Sequence, residues 1–196
     1  MDDEESISTL ILHSNIYTCI ALEHIAQQLA GINTVKSYYK TYNLLRALTL
    51  YENIKTIIIA YDIGRFNTID ILSSSFPDIK VIVIIPKKSF ALVKLLFSLG
   101  ASKVICEYDR IPGIITALQY DIHQTYISPL IRPDSHFGNL KIKRLTPMEK
   151  YVLNRLFTGK TLKEISFEKG ISVKTISSHK SSAMNKIKIK KIAELF

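Results

Sequence analysis

The sequence predicts an α/β domain built on a parallel sheet, followed by a smaller all-α domain. Three observations carry this prediction. Short β-branched runs alternate with amphipathic stretches over about the first 125 residues, whereas the later periodicity is helical. Turn-forming residues cluster between these two parts. The charge divides there as well: residues 141–196 hold 14 Lys and Arg against four Glu, a net charge of +10, and the rest of the chain carries −1.

Composition limits the class of protein before any motif is considered. Hydrophobic residues make up 47% and charged residues 22%, which is typical of a chain that buries a core. Cys19 and Cys106 lie far apart without metal-type spacing, so neither a disulfide framework nor a zinc module is expected. The acidic residues 1–5 differ from a secretory signal, and the longest apolar run, Val81–Ile85, is too short to cross a bilayer. We therefore expect a cytoplasmic protein.

The first two strand–helix repeats are defined by a change of hydrophobic period. Leu10–Leu12 is a short apolar strand, and Ile16–Ala30 follows with apolar side chains at helical spacing until Gly31 ends the helix. Thr34–Tyr39 is predicted as the second strand and Tyr42–Leu50 as the second helix.

Three further repeats complete this half of the chain. Ile57–Ile59 is a β-branched run typical of a strand buried on both faces, and Pro77 and Gly100 end two of the helices. The predicted elements are, in order, strand Lys55–Ala60, helix Ile69–Phe76, strand Val81–Ile85, helix Ser89–Leu99, strand Lys103–Cys106 and helix Ile111–Thr125. Five repeats joined by right-handed crossovers predict a doubly wound parallel sheet of the flavodoxin-like or receiver-like kind.

A linker is expected to separate this domain from the rest. Pro, Asp, Ser, Gly and Asn residues cluster between Pro129 and Asn139, outside any periodic segment. We therefore expect an α/β domain over residues 1–125, a linker over 126–141 and a four-helix domain over 142–196.

The helical domain opens with a strongly marked helix. Thr146 is a good N-cap, Pro147 is a good first residue, and Glu149 completes a capping box. The apolar side chains that follow predict a buried face, and Gly159 ends the helix.

The next two helices are short and joined by a tight turn. The second follows Thr161 and ends at Gly170, and we expect three of its side chains to face inward: Leu162, Ile165 and Phe167. Ser172 caps a third helix that runs to about Lys186, and a fourth begins near Lys190. Two short helices joined by a Gly turn, the second of them basic, form a helix-turn-helix pattern.

The third helix has the side chains that a DNA groove accepts. A helix that enters the major groove, about 12 Å wide, needs slim outward side chains that donate and accept hydrogen bonds. Small hydroxyl residues and lysines supply them here: Thr175, Ser177, Ser178, Ser181 and Ser182, with Lys174, Lys180 and Lys186. Double-stranded DNA is therefore the predicted partner. A small helical adaptor domain is the alternative.

The motifs Leu145–Glu149 and Lys174–Lys180 resemble the four-helix output domain of LuxR/NarL-type regulators, above all the Rcs capsule regulators and their auxiliary partners. The resemblance implies that the third helix enters the major groove and that the fourth helps to form a dimer. It assigns base contacts to Ser177, Ser178 and Ser181, and phosphate contacts to Lys174, Thr175, His179 and Lys186. Lys180 departs from the leucine usual in the family, so DNA contact and solvation both stay open for it.

The resemblance also implies partners and targets. We expect a homodimer, or a heterodimer with a related response regulator, on paired half-sites about one helical turn apart. Leu195 and Phe196 are the candidate interface residues, because a small domain leaves little to cover them. Genes for capsule or other surface polysaccharide, or for motility, are the implied targets.

Receiver domains of this family accept a phosphoryl group on Asp, and little of what that chemistry needs is present. His13–Asn15 stands where an acidic pair would hold Mg²⁺, Ile85–Pro86 where a hydroxyl is needed, and Cys106–Glu107 in place of a lysine. Asp62, or Tyr61 in the neighbouring register, falls at the end of the third strand. We expect Asp62 to be a loop residue and not a phosphoacceptor, with control exerted through abundance or a partner.

No enzymatic activity is predicted. The seven scattered Gly residues form neither GxGxxG nor a P-loop, and the five His residues lack metal-ligand spacing. We therefore expect no catalytic residue, metal or cofactor. Two other functions stay open: a phosphorylated regulator that uses Asp62, and a regulator that senses a small molecule through its α/β domain.

Overall fold

Six parallel strands form one sheet in the first part of the chain. The structure, a computed structural model, describes residues 7–29, 34–119, 124–131 and 143–195. The strands are β1 (Ile7–Leu12), β2 (Thr34–Tyr38), β3 (Thr56–Ala60), β4 (Lys80–Ile85), β5 (Lys103–Cys106) and β6 (Tyr126–Ile127). Their order is β2-β1-β3-β4-β5-β6, with every neighbouring pair parallel. This order confirms the predicted doubly wound, receiver-like fold class.

Five helices follow the first five strands in turn. They are α1 (Ile16–Gln27), α2 (Thr41–Leu50), α3 (Phe66–Ser75), α4 (Phe90–Leu99) and α5 (Ile111–Gln119). Asn15 starts α1, because its side chain accepts hydrogen bonds from the N–H groups of Tyr17 and Thr18. A 3-10 helix, Ile63–Arg65, precedes α3, which therefore begins earlier than the predicted Ile69.

The predicted linker begins too early, and the predicted fifth helix ends too late. Tyr126 and Ile127 form β6, pair with Lys103 and Val104 of β5, and are both buried. Helix α5 covers Ile111–Gln119 among the described residues, and Gln124 and Thr125, which the predicted helix included, lie outside any helix. A strand of two residues is too short to show the alternation that marks a strand, so the sequence pattern did not predict it.

The core on one face of the sheet is built from α1, α5 and all six strands. Branched aliphatic residues dominate it, and Cys19 is part of it. The cluster includes Ile11, Leu22, Ile25, Ile58, Ile82, Ile105, Ala117 and Tyr126. Both cysteines are free and buried, and they act here as small apolar side chains.

The chain divides into two compact units. The first comprises Met1–Lys88 and Ala101–Arg132, and the second comprises Ser89–Gly100 and Pro133–Phe196. Helix α4 therefore belongs to the second unit, although the expected boundary placed it in the first. Within the second unit, the N–H of Leu145 donates to the carbonyl of Ser98 at 3.3 Å.

Three helices and a 3-10 turn complete the second unit. They are α6 (Pro147–Phe157), α7 (Leu162–Lys169), α8 (Val173–Ile187) and the 3-10 helix Ile192–Leu195. The predicted fourth helix is thus a single 3-10 turn. Among the described residues, no helix is both long and apolar enough to cross a membrane.

Two apolar side chains of this unit lie where the sequence did not predict them. Phe167 is 91% exposed, whereas it was expected to face inward. Ile165 is buried, and a residue two positions further along a helix points to the opposite side. Leu195 is 2% exposed, so it is buried in its own chain and not available as the expected dimer contact. Phe196, the other expected contact, lies outside the described residues.

Candidate nucleic-acid interface

Two capping boxes fix the start of α6 and of α7. The Thr146 hydroxyl accepts from the N–H of Glu149, whose carboxylate accepts from the N–H of Thr146 at 2.7 Å. Thr161 and Glu164 repeat this arrangement at α7. Each box satisfies backbone donors that a helix start leaves without partners.

The turn between α7 and α8 is set by one glycine and one serine. Gly170 has a φ of 65°, a left-handed backbone conformation that residues other than glycine adopt only at a cost in free energy. Ser172 then caps α8, accepting from the N–H of Thr175 at 3.1 Å. The predicted helix-turn-helix is therefore present, with α8 as its second helix.

The apolar face of α8 determines which side chains face outward. Ile176, Ala183 and Ile187 are buried, and Ile176 shares a core cluster with Val152 of α6 and Ile165 of α7. Helical positions opposite a buried face point to solvent. The exposed residues on that side, which we call the polar stripe, are Lys174, Ser178, Ser181 and Asn185.

The sequence-predicted DNA contacts fall into three groups around α8. Four are exposed: Lys174, Thr175, Ser178 and Ser181. Three are half-buried on the flanks of the helix: Ser177, His179 and Lys180. Lys186 forms the third group and is engaged inside the domain. Asn185, which the sequence prediction did not include, is also exposed, and its spacing of four residues from Ser181 places it on the same side of the helix.

Lys186, a predicted phosphate contact, is paired with a buried carboxylate. Its Nζ lies 2.7 Å from Glu149 Oε2 and also donates to the carbonyl of Arg144 at 3.3 Å. Ser182 donates to Glu149 Oε1 at 2.7 Å. Burial raises the pKa of Glu149, but the hydrogen bonds from Lys186, the Thr146 N–H and Ser182 outweigh it and hold the pKa below its usual value.

A second ion pair ties α6 to α7. Arg155 Nε donates to Glu168 Oε2 at 2.8 Å, and Tyr151 donates to the same oxygen. The hydrogen bond from Arg155 lowers the pKa of Glu168 to about 2. Lys174 and Lys180, by contrast, form no ion pair with any residue of the described segments, so their charges remain available to an anion.

In the first unit, Asp62 does not stand alone at the end of β3. It lies in the loop after that strand, and its carboxylate accepts from the Arg65 N–H at 3.1 Å and lies 2.9 Å from Arg65 Nε. Tyr61 continues the pairing of β3, because its N–H donates to the carbonyl of Ile84 at 2.7 Å. The Tyr61 hydroxyl is buried without a hydrogen-bond partner among the described residues, and burial raises its pKa.

The chain thus has a receiver-like α/β fold followed by a helix-turn-helix. Residues 143–196 match the model of the family described as bacterial regulatory proteins, luxR family. The C-terminal part of the chain is therefore a luxR-family helix-turn-helix domain, as its motifs predicted.

Solved structures extend the likeness of fold to almost the whole chain. A structure of two RcsB dimers bound to two parallel DNAs is 21% identical, covers 97% of this chain and 96% of that one, and has a TM-score of 0.58. RcsB from Salmonella enterica serovar Typhimurium, bound to promoter rprA in the presence of phosphomimetic BeF3-, is 18% identical, with coverages of 97% and 98% and a TM-score of 0.59. A LuxR family DNA-binding response regulator from Silicibacter pomeroyi is 13% identical, covers 66% and 99%, and has a TM-score of 0.52.

Proposed function

We propose that this protein is a sequence-specific DNA-binding transcriptional regulator that reads the major groove with α8. The observation that carries the proposal is the polar stripe: a 15-residue helix buries one apolar face and presents hydroxyl, amide and ammonium groups on the other. The +10 charge of residues 141–196 supports a polyanionic partner. The protein is proposed not to be an enzyme and to act in the cytoplasm.

Base and phosphate contacts divide along the helix in this proposal. Ser178, Ser181 and the half-buried Ser177 read base edges, and Asn185 joins them because an amide donates and accepts as adenine requires. Lys174 and Thr175 bind phosphates beside the turn, with His179 and Lys180 on the flanks. Lys186 is left out of the phosphate set, since its ammonium already serves Glu149.

We propose that the protein acts as a dimer, either with itself or with a related response regulator. One recognition helix reads only a few base pairs, which is too little to single out an operator among genomic competitors. The RcsB relative described as dimers on DNA supports this mode. Because Leu195 is buried, it is not proposed as a dimer contact. Genes for surface polysaccharide or motility are the proposed targets, by resemblance to the Rcs regulators.

Control is proposed to be independent of phosphorylation, and the pairing of Asp62 with Arg65 supports this. One observation favours the alternative of a phosphorylated regulator: the Asp62 side chain is 55% exposed, beside the end of β3. Incubation of the full chain with acetyl phosphate, followed by intact-mass measurement, separates the two. We expect no added phosphoryl group; a mass increase that Asp62→Ala removes would favour the alternative.

Selection of bound duplexes from a random pool by the full-length chain tests the main proposal. We expect an enriched sequence that contains two related half-sites. Ser181→Ala and Ser178→Ala are expected to relax the preference at individual positions by about 1–3 kcal/mol each.

Ser74→Ala is the matched control. Ser74 in α3 and Ser178 in α8 are both exposed, and each donates its hydroxyl to the carbonyl four residues earlier. The control is expected to leave the enriched sequence unchanged. Recovery of no preferred sequence, or equal effects of Ser74→Ala and Ser178→Ala, would contradict the proposal.

A further inference from the structure

A buried guanidinium lies between the ends of two neighbouring strands in the first unit. Arg65 is the last residue of the short 3-10 helix after β3, and its side chain is 11% exposed. One terminal nitrogen donates to the carbonyl of Ala60 at 2.7 Å and to that of Leu12 at 3.4 Å. Arg65 Nε lies 2.9 Å from Asp62 Oδ2. Three oxygen atoms from β1, β3 and the following loop therefore surround one positive charge.

This set of oxygens is the kind that a hard divalent cation takes. Carboxylate and backbone carbonyl oxygens are ordinary ligands of Mg²⁺ and Ca²⁺. The carboxyl ends of parallel strands supply such carbonyls, because the chain leaves the sheet there. A receiver-like fold would hold Mg²⁺ at this edge, but here the guanidinium already takes the three oxygens.

The neighbouring positions also do not fit a metal-dependent phosphoryl site. His13, at the end of β1, is buried and accepts from the N–H of Asn15 at 2.9 Å, so no carboxylate is offered there. Burial lowers the pKa of His13, and the charge of Arg65 lowers it further against the opposing effect of Glu107. Glu107 follows β5, where a receiver needs a cation. The edge thus has its cation at β3 and an anion at β5.

We propose that Arg65 is a resident cation, which takes the place of a bound divalent ion and holds β1, β3 and the β3–α3 loop in one arrangement. The inference rests on the proposed phosphorylation-independent regulator, for which it supplies a physical basis. With its oxygens engaged by a covalently attached charge, this edge neither requires Mg²⁺ nor gains stability from it. The oxygens form a latent cation site that opens only when the guanidinium is removed.

Thermal unfolding and Tb³⁺ luminescence of the full chain test the proposal. Tb³⁺ takes the same oxygen ligands as Ca²⁺, and its luminescence can be excited through a tyrosine such as Tyr61, which precedes Asp62 in the chain. For the unmodified chain, we expect no change of the unfolding midpoint with millimolar Mg²⁺. Arg65→Ala is expected to lower the midpoint by roughly 4–8 °C and to recover part of the loss with Mg²⁺ or Tb³⁺.

Two further variants show whether any metal response comes from this site. Adding Asp62→Asn to Arg65→Ala is expected to abolish the Mg²⁺ recovery and the Tb³⁺ signal. Arg46→Ala, which removes an exposed arginine of α2, is expected to change neither quantity. An Arg65→Ala chain that keeps its midpoint, or that gains no cation response sensitive to Asp62→Asn, would overturn the proposal.

If Arg65→Ala does not fold, the unmodified chain and Arg65→Lys decide the question. The lysine variant keeps the charge, so we expect it to fold and to show no Tb³⁺ response. A Mg²⁺ or Tb³⁺ response of the unmodified chain that Asp62→Asn removes would overturn the proposal, as would failure of Arg65→Lys to fold. None of these measurements involves DNA, so failure here is distinct from failure of the proposed regulator.

Discussion

Each unit has an ion pair that engages a residue which, by its type and position alone, would be expected to bind an external ligand. In the second unit, Lys186 Nζ lies 2.7 Å from Glu149 Oε2, and the two side chains are 22% and 4% exposed. In the first unit, Arg65 Nε lies 2.9 Å from Asp62 Oδ2, with 11% and 55% exposure. The more buried member is the carboxylate of Glu149 in one pair and the guanidinium of Arg65 in the other. Removal of the acidic residue therefore has different consequences in the two pairs.

The comparison shows why residue type is not enough to assign a binding role. Lys186 belongs to the helix that carries the polar stripe, but its ammonium faces Glu149 within the domain. Asp62 follows the strand that carries the phosphoacceptor in receivers, but its carboxylate faces Arg65. A buried charge must have a partner, so Glu149 engages Lys186 and Arg65 engages Asp62 within the chain.

The largest effect is expected for Glu149→Ala, which removes the buried member of the Glu149–Lys186 pair. The substitution deletes a capping-box carboxylate and leaves the half-buried Lys186 without its anion, so we expect a loss of about 3 kcal/mol in the free energy of unfolding. Chemical denaturation of the full chain measures it. Glu164→Ala is the matched control, because Glu164 has the same place in the capping box of α7 but is exposed. We expect a clearly smaller loss for Glu164→Ala, because solvent screens an exposed carboxylate, and equal losses would contradict the stabilising role assigned to the buried Glu149.

Acid is expected to break the Glu149–Lys186 pair. The pKa of Glu149 is lowered in the folded chain, so its stabilising contribution is full above its ordinary pKa of 4.5 and is lost as pH falls through the folded pKa. Glu168, with a pKa of about 2, extends the loss to lower pH. Unfolding measured between about pH 6 and 3 should show stability falling with pH, and Glu149→Gln should flatten the curve. An unchanged pH dependence in that variant would contradict the assignment.

A smaller effect is expected for Asp62→Ala, which removes the exposed member of the Arg65–Asp62 pair. Arg65 keeps both carbonyl partners, and solvent already screens the exposed carboxylate, so we expect a loss of about 1 kcal/mol. DNA affinity of the full chain should be unchanged within error. A loss of DNA binding by a folded Asp62→Ala chain would show that this pair does more than hold the loop.

The limits of prediction from sequence follow from the same physics. Periodicity and caps identified the helix-turn-helix and five of the strands, because these patterns are local. The two-residue strand β6 is visible only through its pairing with β5. The partner of Lys186 lies 37 residues away and that of Leu12 lies 53 residues away, so neither contact has a local pattern. Helical spacing from Ser181 places Asn185 on the same side of α8, but Asn185 does not belong to the pattern of hydroxyl residues and lysines on which the sequence prediction rested.

The smallest effect concerns the end of α8, where Lys188 has a φ of 54° and a ψ of 51°. A left-handed conformation costs a side-chain-bearing residue roughly 1 kcal/mol, so Lys188→Gly is expected to stabilise the chain by about 0.5–1 kcal/mol. Lys190→Gly, at an exposed position nearby, is the control and should not stabilise. A destabilised Lys188→Gly chain would mean that its lysine makes a contact worth more than the strain.

The salt dependence of DNA binding tests most directly the claim that α8 binds DNA through its polar stripe while Lys186 serves the domain interior. Affinity of the full chain for one duplex is measured between about 50 and 200 mM salt for the unmodified chain, Lys174→Ala and Lys186→Met, at a temperature where all are folded. We expect Lys174→Ala to reduce the slope of log affinity against log salt by about 1, and Lys186→Met to leave the slope unchanged. The reverse pattern, or equal slopes for Lys174→Ala and the unmodified chain, would contradict the claim.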